Sequence, residues 1–255
     1  MYKLSILSLL IVFLQVSFSQ TKVINFVETG DNYYKNFDIK NAALNYQKAY
    51  EQNHNDYSTL KKLTRVYNDL SEYYYEIKDK NNAELSVNNA MKYATLFQSR
   101  YPDSSAAYSL LAMSYGNLAL FKGDKEKIKL AYKIKDNAES AIKLNPNDFL
   151  AYIILSIYNR QIASLSWFER TFANMFFGKV PEGNFEDAEK FMLKALSIQP
   201  QAVIAMFHLS LVYKETDDEE KEIIWLKKVI DAPINDFRDQ FAKRKAKNRL
   251  AELLD

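Results

Sequence analysis

Apolar residues recur along most of the chain at spacings of three and four, which is typical of helices with one buried face. Short polar turns carrying proline, glycine, asparagine or aspartate interrupt this pattern at residues 79–82, 101–104, 122–124, 145–148, 199–200 and 232–233. Glycine and proline number only five each, which is few for a sheet-rich chain with many turns. The pattern therefore predicts an all-α protein.

The stretch at residues 145–200 differs from the rest because its first helix is apolar on nearly all sides. After the turn at residues 145–148 this helix carries Leu150, Ile153, Ile154, Leu155, Ile157, Tyr158, Ile162 and Leu165. A helix without a polar face is buried on both sides. We therefore expect the other helices to be arranged around it.

The helices also repeat. A small residue, Gly30, and an aromatic residue, Tyr33, precede Ala49 on the next helix. Tyr33 to Ala49 is 16 residues and Ala49 to Tyr67 is 18, which together make the 34-residue period of tetratricopeptide repeats. The next intervals, which end at Ala90, Tyr115 and Ala141, lengthen to 23, 25 and 26. The sequence predicts a tetratricopeptide-like superhelix of about five helix pairs with lengthened middle units.

Residues 237–254 form a last amphipathic segment, predicted to cap the superhelix. Its apolar residues, expected to pack on the fifth unit, are Phe241, Leu250, Leu253 and Leu254. Its basic residues, expected on a solvated face, are Arg238, Lys243, Arg244, Lys245, Lys247 and Arg249. Aromatic residues are not interleaved with them, so nucleic acid is not an expected partner. Contact with an acidic partner or a lipid headgroup is the lesser alternative.

Residues 1–19 have the composition of a signal peptide, with one charge, Lys3, ahead of an apolar run too short to cross a bilayer. Ser17 and Ser19 are small residues that predict cleavage before Gln20. An uncleaved membrane anchor is the alternative. The chain has no cysteine, so a lipoprotein anchor is not expected. We expect an exported protein of the periplasm or cell envelope, with residues 20–255 as one domain.

Candidate chemistry is sparse. The formal net charge is +2, and the two histidines, His54 and His208, lie outside any metal-ligand pattern. Neither a Gly-x-Ser-x-Gly elbow nor a glycine-rich phosphate loop occurs. The acidic cluster at residues 217–220 is placed to begin a helix. The sequence predicts a protein that is not an enzyme and uses no metal or cofactor.

The first helix of each pair should line the concave face, where helical-repeat proteins usually bind partners. The polar candidates there are Tyr34, Lys61, Arg65, Asn68, Asn117, Arg160 and His208. The apolar candidates, in the fourth and fifth units, are Leu150, Ile153, Ile157, Phe207 and Leu211. Our first hypothesis is a scaffold that binds another polypeptide, with Arg65 and Asn68 exposed to bond it. The alternative is a carrier of a lipid or other apolar ligand. The oligomeric state is left open.

The fourth unit contains an insertion, assigned to residues 168–184, which overlaps an apolar stretch at residues 162–177. Its apolar residues at helical spacing include Phe168, Phe172 and Phe176. We expect it to fold back as a lid over the apolar end of the groove, with Trp167 and Phe168 at the bend. It is either a plug that completes the core or a mobile gate over a ligand.

The same region resembles a known family. The matching segments are Asn145-Pro146-Asn147-Asp148, Gln161-Ile162-Ala163-Ser164-Leu165-Ser166-Trp167-Phe168-Glu169, Phe177-Gly178, and Glu186-Asp187-Ala188 through Ala195 to Ile198-Gln199-Pro200. In order and spacing, residues 144–254 resemble the C-terminal domain of the regulator of microtubule dynamics family. The resemblance implies a tetratricopeptide-like helical domain. Known members are eukaryotic proteins implicated in microtubule association and organelle contacts, and the leader suggests that this chain is an exported bacterial relative.

Overall fold

The computed structural model describes residues 25–254, so the predicted signal peptide lies outside the described residues. This region folds into twelve α-helices. They are α1 (Phe26–Lys35), α2 (Ile39–Gln52), α3 (Tyr57–Glu76), α4 (Lys80–Arg100), α5 (Ser105–Ala119), α6 (Asp124–Leu144), α7 (Phe149–Ala163), α8 (Trp167–Phe176), α9 (Phe185–Ile198), α10 (Val203–Glu215), α11 (Glu219–Asp231) and α12 (Phe237–Leu254). The all-α prediction is confirmed.

Ten of these helices form five pairs, α1/α2, α3/α4, α5/α6, α7/α9 and α10/α11. The first helices α3, α5, α7 and α10 contact one another in turn and form the inner layer of a superhelix. The middle units are longer, as predicted, because α3 has 20 residues and α4 and α6 have 21, against 13 in α10 and α11. Helix α8 is an additional helix between the two members of the fourth pair.

Gly30 allows the first two helices to approach closely. A Cβ atom at this position would lie 2.5 Å from Cε1 of Tyr46 on α2. The Tyr46 hydroxyl donates a 2.7 Å hydrogen bond to Asp31, the next residue of α1. The small residue predicted at this position of the repeat is therefore required by the packing.

Three of the turns inside helix pairs share one backbone conformation. Phe37, Lys78 and Asp217 follow α1, α3 and α10 with φ of 63°, 64° and 56°, the left-handed conformation that ends many helices. The next residue in each turn is an aspartate whose carboxylate accepts a hydrogen bond from the N–H three residues later, at the start of the second helix. Such caps contribute about 1 kcal/mol each. The acidic cluster at residues 217–220 thus begins a helix, as predicted.

Helix α7 lies between two clusters of buried apolar residues. Ala151, Ile154 and Leu155 belong to the cluster of the first three units, whereas Ile153 belongs to the cluster of the last two. A helix that is apolar on nearly all sides joins both cores, which explains its composition.

Helix α12 is only partly the cap that the sequence predicted. Ala242, Ala246 and Leu250 pack against the core of the fifth unit, but Leu254 is exposed. Phe237 and Phe241 pack instead with the core of the first units, and the Phe241 ring lies 6.4 Å from that of Tyr73 on α3. The last helix therefore crosses the concave side from the fifth unit to the second.

Candidate binding groove and cavity

The N-terminal ends of α3, α5 and α7 line an open space of about 880 Å³, which we call the polar groove. Its lining includes Lys61, Arg65, Arg100, Ser105 and Leu150. Lys61 is exposed and pairs with no carboxylate of residues 25–254, while Arg100 donates to the backbone carbonyl of His54. The N-terminus of a helix carries a partial positive charge, so the three helix ends add to the positive potential that Lys61 and Arg100 create in the groove.

Two carboxylates also line the polar groove, Asp103 and Asp148. Asp148 is buried, accepts a hydrogen bond from Ser105, and caps α7 through a 3.0 Å bond from the Ala151 N–H. Because the Asp148 carboxylate is buried and already hydrogen-bonded, Asp103 is the only acidic side chain of the lining that is exposed to the groove. The polar groove is chemically suited to an acidic segment or a chain-terminal carboxylate.

A second space, the apolar cavity, lies on the inner side of the superhelix and measures about 990 Å³. Apolar residues of the inner helices form its walls, among them Met113, Ile153, Ile157 and Phe207. Two of its sides are closed by other helices. Phe241 and Lys245 of α12 close one side, and Phe172 and Ala173 of α8 close the other. Its volume is at the upper end of the range for small-molecule sites.

The two spaces adjoin. Arg65, Phe149 and Leu150 line both the polar groove and the apolar cavity. The concave face thus changes from polar to apolar at these three residues.

Asn68, one of the predicted polar contacts, is not available to a ligand. Its side chain is fully buried, and its amide nitrogen donates to the Thr64 carbonyl at 3.1 Å and to the Ser114 hydroxyl at 2.8 Å. The Asn117 amide donates in turn to its side-chain oxygen at 3.1 Å. Asn68 joins α3 to α5, so its assignment to the binding surface is wrong.

Arg65 is also held by an internal partner. Its Nε donates to Oδ1 of Asp69 at 2.9 Å, and Asp69 is completely buried. The Tyr34 hydroxyl donates to the other oxygen of this carboxylate at 2.6 Å, and burial raises the pKa of Tyr34 well above its usual range. Arg65 is thus tied to an internal partner, and we expect charge reversal at this position to destabilise the fold, because a glutamate here would face the buried Asp69 carboxylate.

Helix α12 supplies a second guanidinium to the same cluster. Arg238 bonds Asp236 at 2.7 Å and lies 3.8 Å from Glu72 and 3.9 Å from Asp69, both on α3. Lys245, two turns further along α12, pairs with Glu76. We call Arg65, Asp69, Glu72, Asp236 and Arg238 the closure cluster, because it fastens the last helix to the second unit.

The prediction that the basic residues of α12 form a solvated face is therefore wrong for three of the six. Besides Arg238, Lys243 donates to the Ile230 carbonyl at 2.7 Å, and Arg249 pairs with the buried Glu222 at 2.8 Å. Arg244, Lys245 and Lys247 are exposed, although Lys245 pairs with Glu76.

The closure cluster shifts the ionisation of its carboxyl groups in both directions. Burial raises the pKa of Glu72 to about 7, although Arg238 opposes this. Burial also acts to raise the pKa of Asp236, but hydrogen bonds from Arg238 outweigh it and lower that pKa to about 2. The two pKa values differ because Arg238 lies at different distances from the two carboxylates. It is 2.7 Å from Asp236 and 3.8 Å from Glu72.

Arg160 and His208 lie deeper than the sequence suggested. Arg160 is buried and pairs with Glu215 of α10. His208 lines the apolar cavity, and its Nδ1 is buried without a hydrogen-bond partner among the residues that the structure describes. Neither Arg160 nor His208 is therefore an open groove contact. The apolar candidate Leu211 packs against the core of the last two units.

His208 predicts a measurable pH dependence. Burial, assisted by Arg160, lowers its pKa from 6.5 to about 3. The unfolded chain therefore binds a proton before the folded protein does, and stability is lost as the pH falls from 6.5 towards 3. We expect the wild type to lose roughly 2–3 kcal/mol more than His208→Leu between pH 6.5 and about pH 4.5.

Urea denaturation at a series of pH values measures this difference. Glu72 acts in the opposite direction, because its raised pKa favours the folded state at lower pH, but it is present in both proteins and cancels. Parallel pH profiles for the two proteins would show that His208 titrates normally.

The apolar insertion is not one continuous helix. The chain leaves α7 at Ala163, and α8 begins with a capping box in which Ser166 and Glu169 bond each other's backbone N–H groups. Glu169, Phe172 and Ala173 of α8 line the apolar cavity, so α8 lies over it as a lid would. None of the residues of α8 is buried, and Phe176 points to solvent. A plug in which Phe172 and Phe176 complete the core does not match this structure.

Within residues 25–254, no group of three histidine or acidic side chains is arranged to hold a metal ion. The helices of this same region are too short or too polar to span a membrane. The concave face of the described region carries two spaces, the polar groove and the apolar cavity.

The fold is that of a known class. The structure superposes on the crystal structure of TTC0263, a thermophilic tetratricopeptide-repeat protein of Thermus thermophilus, with a TM-score of 0.64 over 90% of this chain and 97% of that chain, at 16% identity. Together with the five helix pairs, this likeness defines a helical-repeat scaffold of the tetratricopeptide type. The family model described as "Regulator of microtubule dynamics protein 1-3" matches residues 26–254, and the chain belongs to this family.

Individual relatives show how far the likeness extends. The chain is 27% identical to Regulator of microtubule dynamics protein 1 of Bos taurus over 170 residues, 66% of this chain and 54% of the relative. It is 27% identical to Regulator of microtubule dynamics protein 3 of Rattus norvegicus over 68% of this chain and 36% of the relative. The chain spans about half or less of the length of these curated relatives. The family resemblance seen at residues 144–254 is confirmed and extends through nearly all of the described region.

Proposed function

We propose that this protein is a non-enzymatic scaffold of the cell envelope that holds another polypeptide in its polar groove. The observation that carries this proposal is the exposed Lys61 beside Arg100, in an open groove at three helix N-termini. An acidic segment or a C-terminal carboxylate would bond there without displacing an internal ion pair of Lys61. The envelope location rests on the predicted leader at residues 1–19.

The relatives' names refer to microtubules, and that partner does not suit an exported protein. We propose that the shared property is the groove on a common scaffold, with a different polypeptide bound in each setting. The cationic side chains of the groove favour partners of opposite charge. We therefore expect the segment that binds there to be acidic.

Lys61→Glu tests this function. Fluorescence anisotropy with a labelled acidic peptide that ends in a free carboxylate should show binding to the wild type and roughly tenfold weaker binding to Lys61→Glu at low salt. Lys227→Glu on α11 is the matched control, because Lys227 is equally exposed but lies outside the groove. Equal losses in the two variants, or failure of the wild type to bind, would contradict the proposal.

A second candidate function is the binding of a lipid or other apolar ligand in the apolar cavity. The observation that favours it is a space of about 990 Å³ walled by apolar side chains and covered by α8 and α12. A space of this size and lining is typical of a ligand site. The two functions are compatible, since the cavity and the polar groove meet only at Arg65, Phe149 and Leu150.

A further inference from the structure

Helix α8 exposes five large apolar side chains, of which Phe168, Phe172, Met175 and Phe176 share one face of the helix. Trp167 is 79% exposed, Phe168 71%, Phe172 46%, Met175 72% and Phe176 60%. Elsewhere in the described region, exposed leucines such as Leu44 and Leu85 stand on separate helices. An apolar surface collected on one helix marks an interaction site, whereas single exposed residues do not.

The aromatic part of this face is a preformed ridge. The ring of Phe172 lies 6.4 Å from that of Phe168 and 4.7 Å from that of Phe176. The capping box at Ser166 fixes the start of the helix. The loop that follows the helix packs closely against α7, because a Cβ atom added to Gly183 would lie only 2.9 Å from Cβ of Ile162. The side chains are therefore held projecting from the fold before any partner arrives.

The charged groups around the ridge are already satisfied. Glu169 accepts hydrogen bonds in the capping box, and Arg170 donates to the Ile162 carbonyl at 2.7 Å. Lys179 and Glu182 in the following loop lie 3.7 Å apart. The segment has no net charge, so a strongly charged partner gains no electrostatic attraction from it.

We infer that α8 is a membrane-docking helix, which inserts its aromatic ridge into the interface of a lipid bilayer. Exposed tryptophan and phenylalanine side chains on a short amphipathic helix favour this boundary. A bilayer deforms around a projecting ridge, whereas another folded protein needs a matching cleft. The neutral surroundings suit zwitterionic headgroups and predict little dependence on lipid charge.

The place of the ridge beside the apolar cavity favours a bilayer as its occupant. The ridge continues into the apolar cavity through Phe172, which lines it, so docking would place the cavity beside the membrane.

Co-sedimentation of the purified protein with phosphatidylcholine vesicles tests the inference. The wild type should partition onto the vesicles, and the variant carrying Trp167→Ala, Phe168→Ala and Phe176→Ala should bind at least about tenfold more weakly. These residues are exposed, so the variant should fold. Leu44→Ala with Leu85→Ala is the matched control, since both leucines are about 60% exposed on other helices, and it should bind as the wild type does.

A second readout locates the contact. In a Trp225→Phe background, Trp167 is the only tryptophan, and its emission should shift to the blue when vesicles are added. Affinity should change by less than about twofold between 0.05 and 0.5 M salt. No vesicle binding, or equal binding by the triple variant, would overturn the inference. Concentration-dependent self-association that the triple variant loses would instead assign the ridge to a second copy.

Discussion

Replacing Asp69 by alanine is expected to lower the free energy of unfolding by about 3–5 kcal/mol. Asp69 is completely buried and accepts hydrogen bonds from Tyr34 and Arg65, with Arg238 at 3.9 Å. Without it, only the carboxylates of Asp236 and Glu72 remain to offset the positive charges of Arg65 and Arg238. Removal of one member of a buried ionic cluster costs more than the cluster contributes as a whole, because uncompensated charge is left inside.

Two variants control this experiment. Asp69→Asn keeps the shape and an acceptor for Tyr34, so its loss should be smaller than that of the alanine variant and should show the share due to charge. Asp136→Ala removes an exposed aspartate and should change stability by no more than about 0.5 kcal/mol. Urea denaturation followed by circular dichroism measures all three. If Asp69→Ala costs less than about 1 kcal/mol, the closure cluster does not hold α12 on α3.

Gly116→Leu is expected to weaken the uptake of an apolar dye by roughly 5- to 100-fold while leaving the protein folded. Gly116 lies on α5 and lines the apolar cavity, and no atom lies within 4 Å of where its Cβ would be. The Cβ of a leucine therefore has free space, and we expect the rest of its side chain to extend into the cavity, where a ligand that fills the cavity would meet it. Forcing extra carbon atoms into a filled site typically costs about 1–3 kcal/mol.

Gly116→Ala is the matched control, because it gives the same helix a Cβ and leaves most of the cavity open. It should bind dye as the wild type does and be more stable by up to about 1 kcal/mol, the difference in helix propensity. Dye titration and thermal unfolding measure the two effects separately. If Gly116→Leu takes up dye normally, the apolar cavity is not the binding site.

Much of this fold could be predicted from the sequence because the relevant residues contact others nearby in the chain, within one turn or one helix pair. Gly30 marks a close approach that is made within one helix pair, and the aspartate caps mark helix starts from within one turn. The repeat interval then places each pair relative to the next. The apolar residues on nearly all sides of α7 likewise predicted that this helix is buried between two cores.

The closure cluster was not predictable in this way. Arg238 and Asp69 are separated by nearly the whole superhelix in sequence, and a basic residue on an amphipathic helix normally faces solvent. The partner appears only when the superhelix is curved enough to bring α12 to α3. The same curvature decides that Arg65 is a structural ion-pair partner and Asn68 a buried hydrogen-bond donor.

Helix α8 shows a different limit. Periodicity identified its apolar stripe but not which surface the stripe faces, because a buried stripe and a membrane-facing stripe have the same spacing. The three left-handed residues Phe37, Lys78 and Asp217 were equally hidden, since none is the glycine that usually marks such a turn.

Purification of the native protein from the envelope fraction of its host tests most directly whether it is a binding scaffold. Mass spectrometry should find a mature chain that begins at or near Gln20, together with one stoichiometric companion. An acidic polypeptide lost in Lys61→Glu would identify the polar groove as the site, and an extracted lipid lost in Gly116→Leu would identify the apolar cavity. A chain that retains Met1 would contradict the envelope location, and a chain free of any companion whose recovery depends on these residues would contradict the scaffold itself.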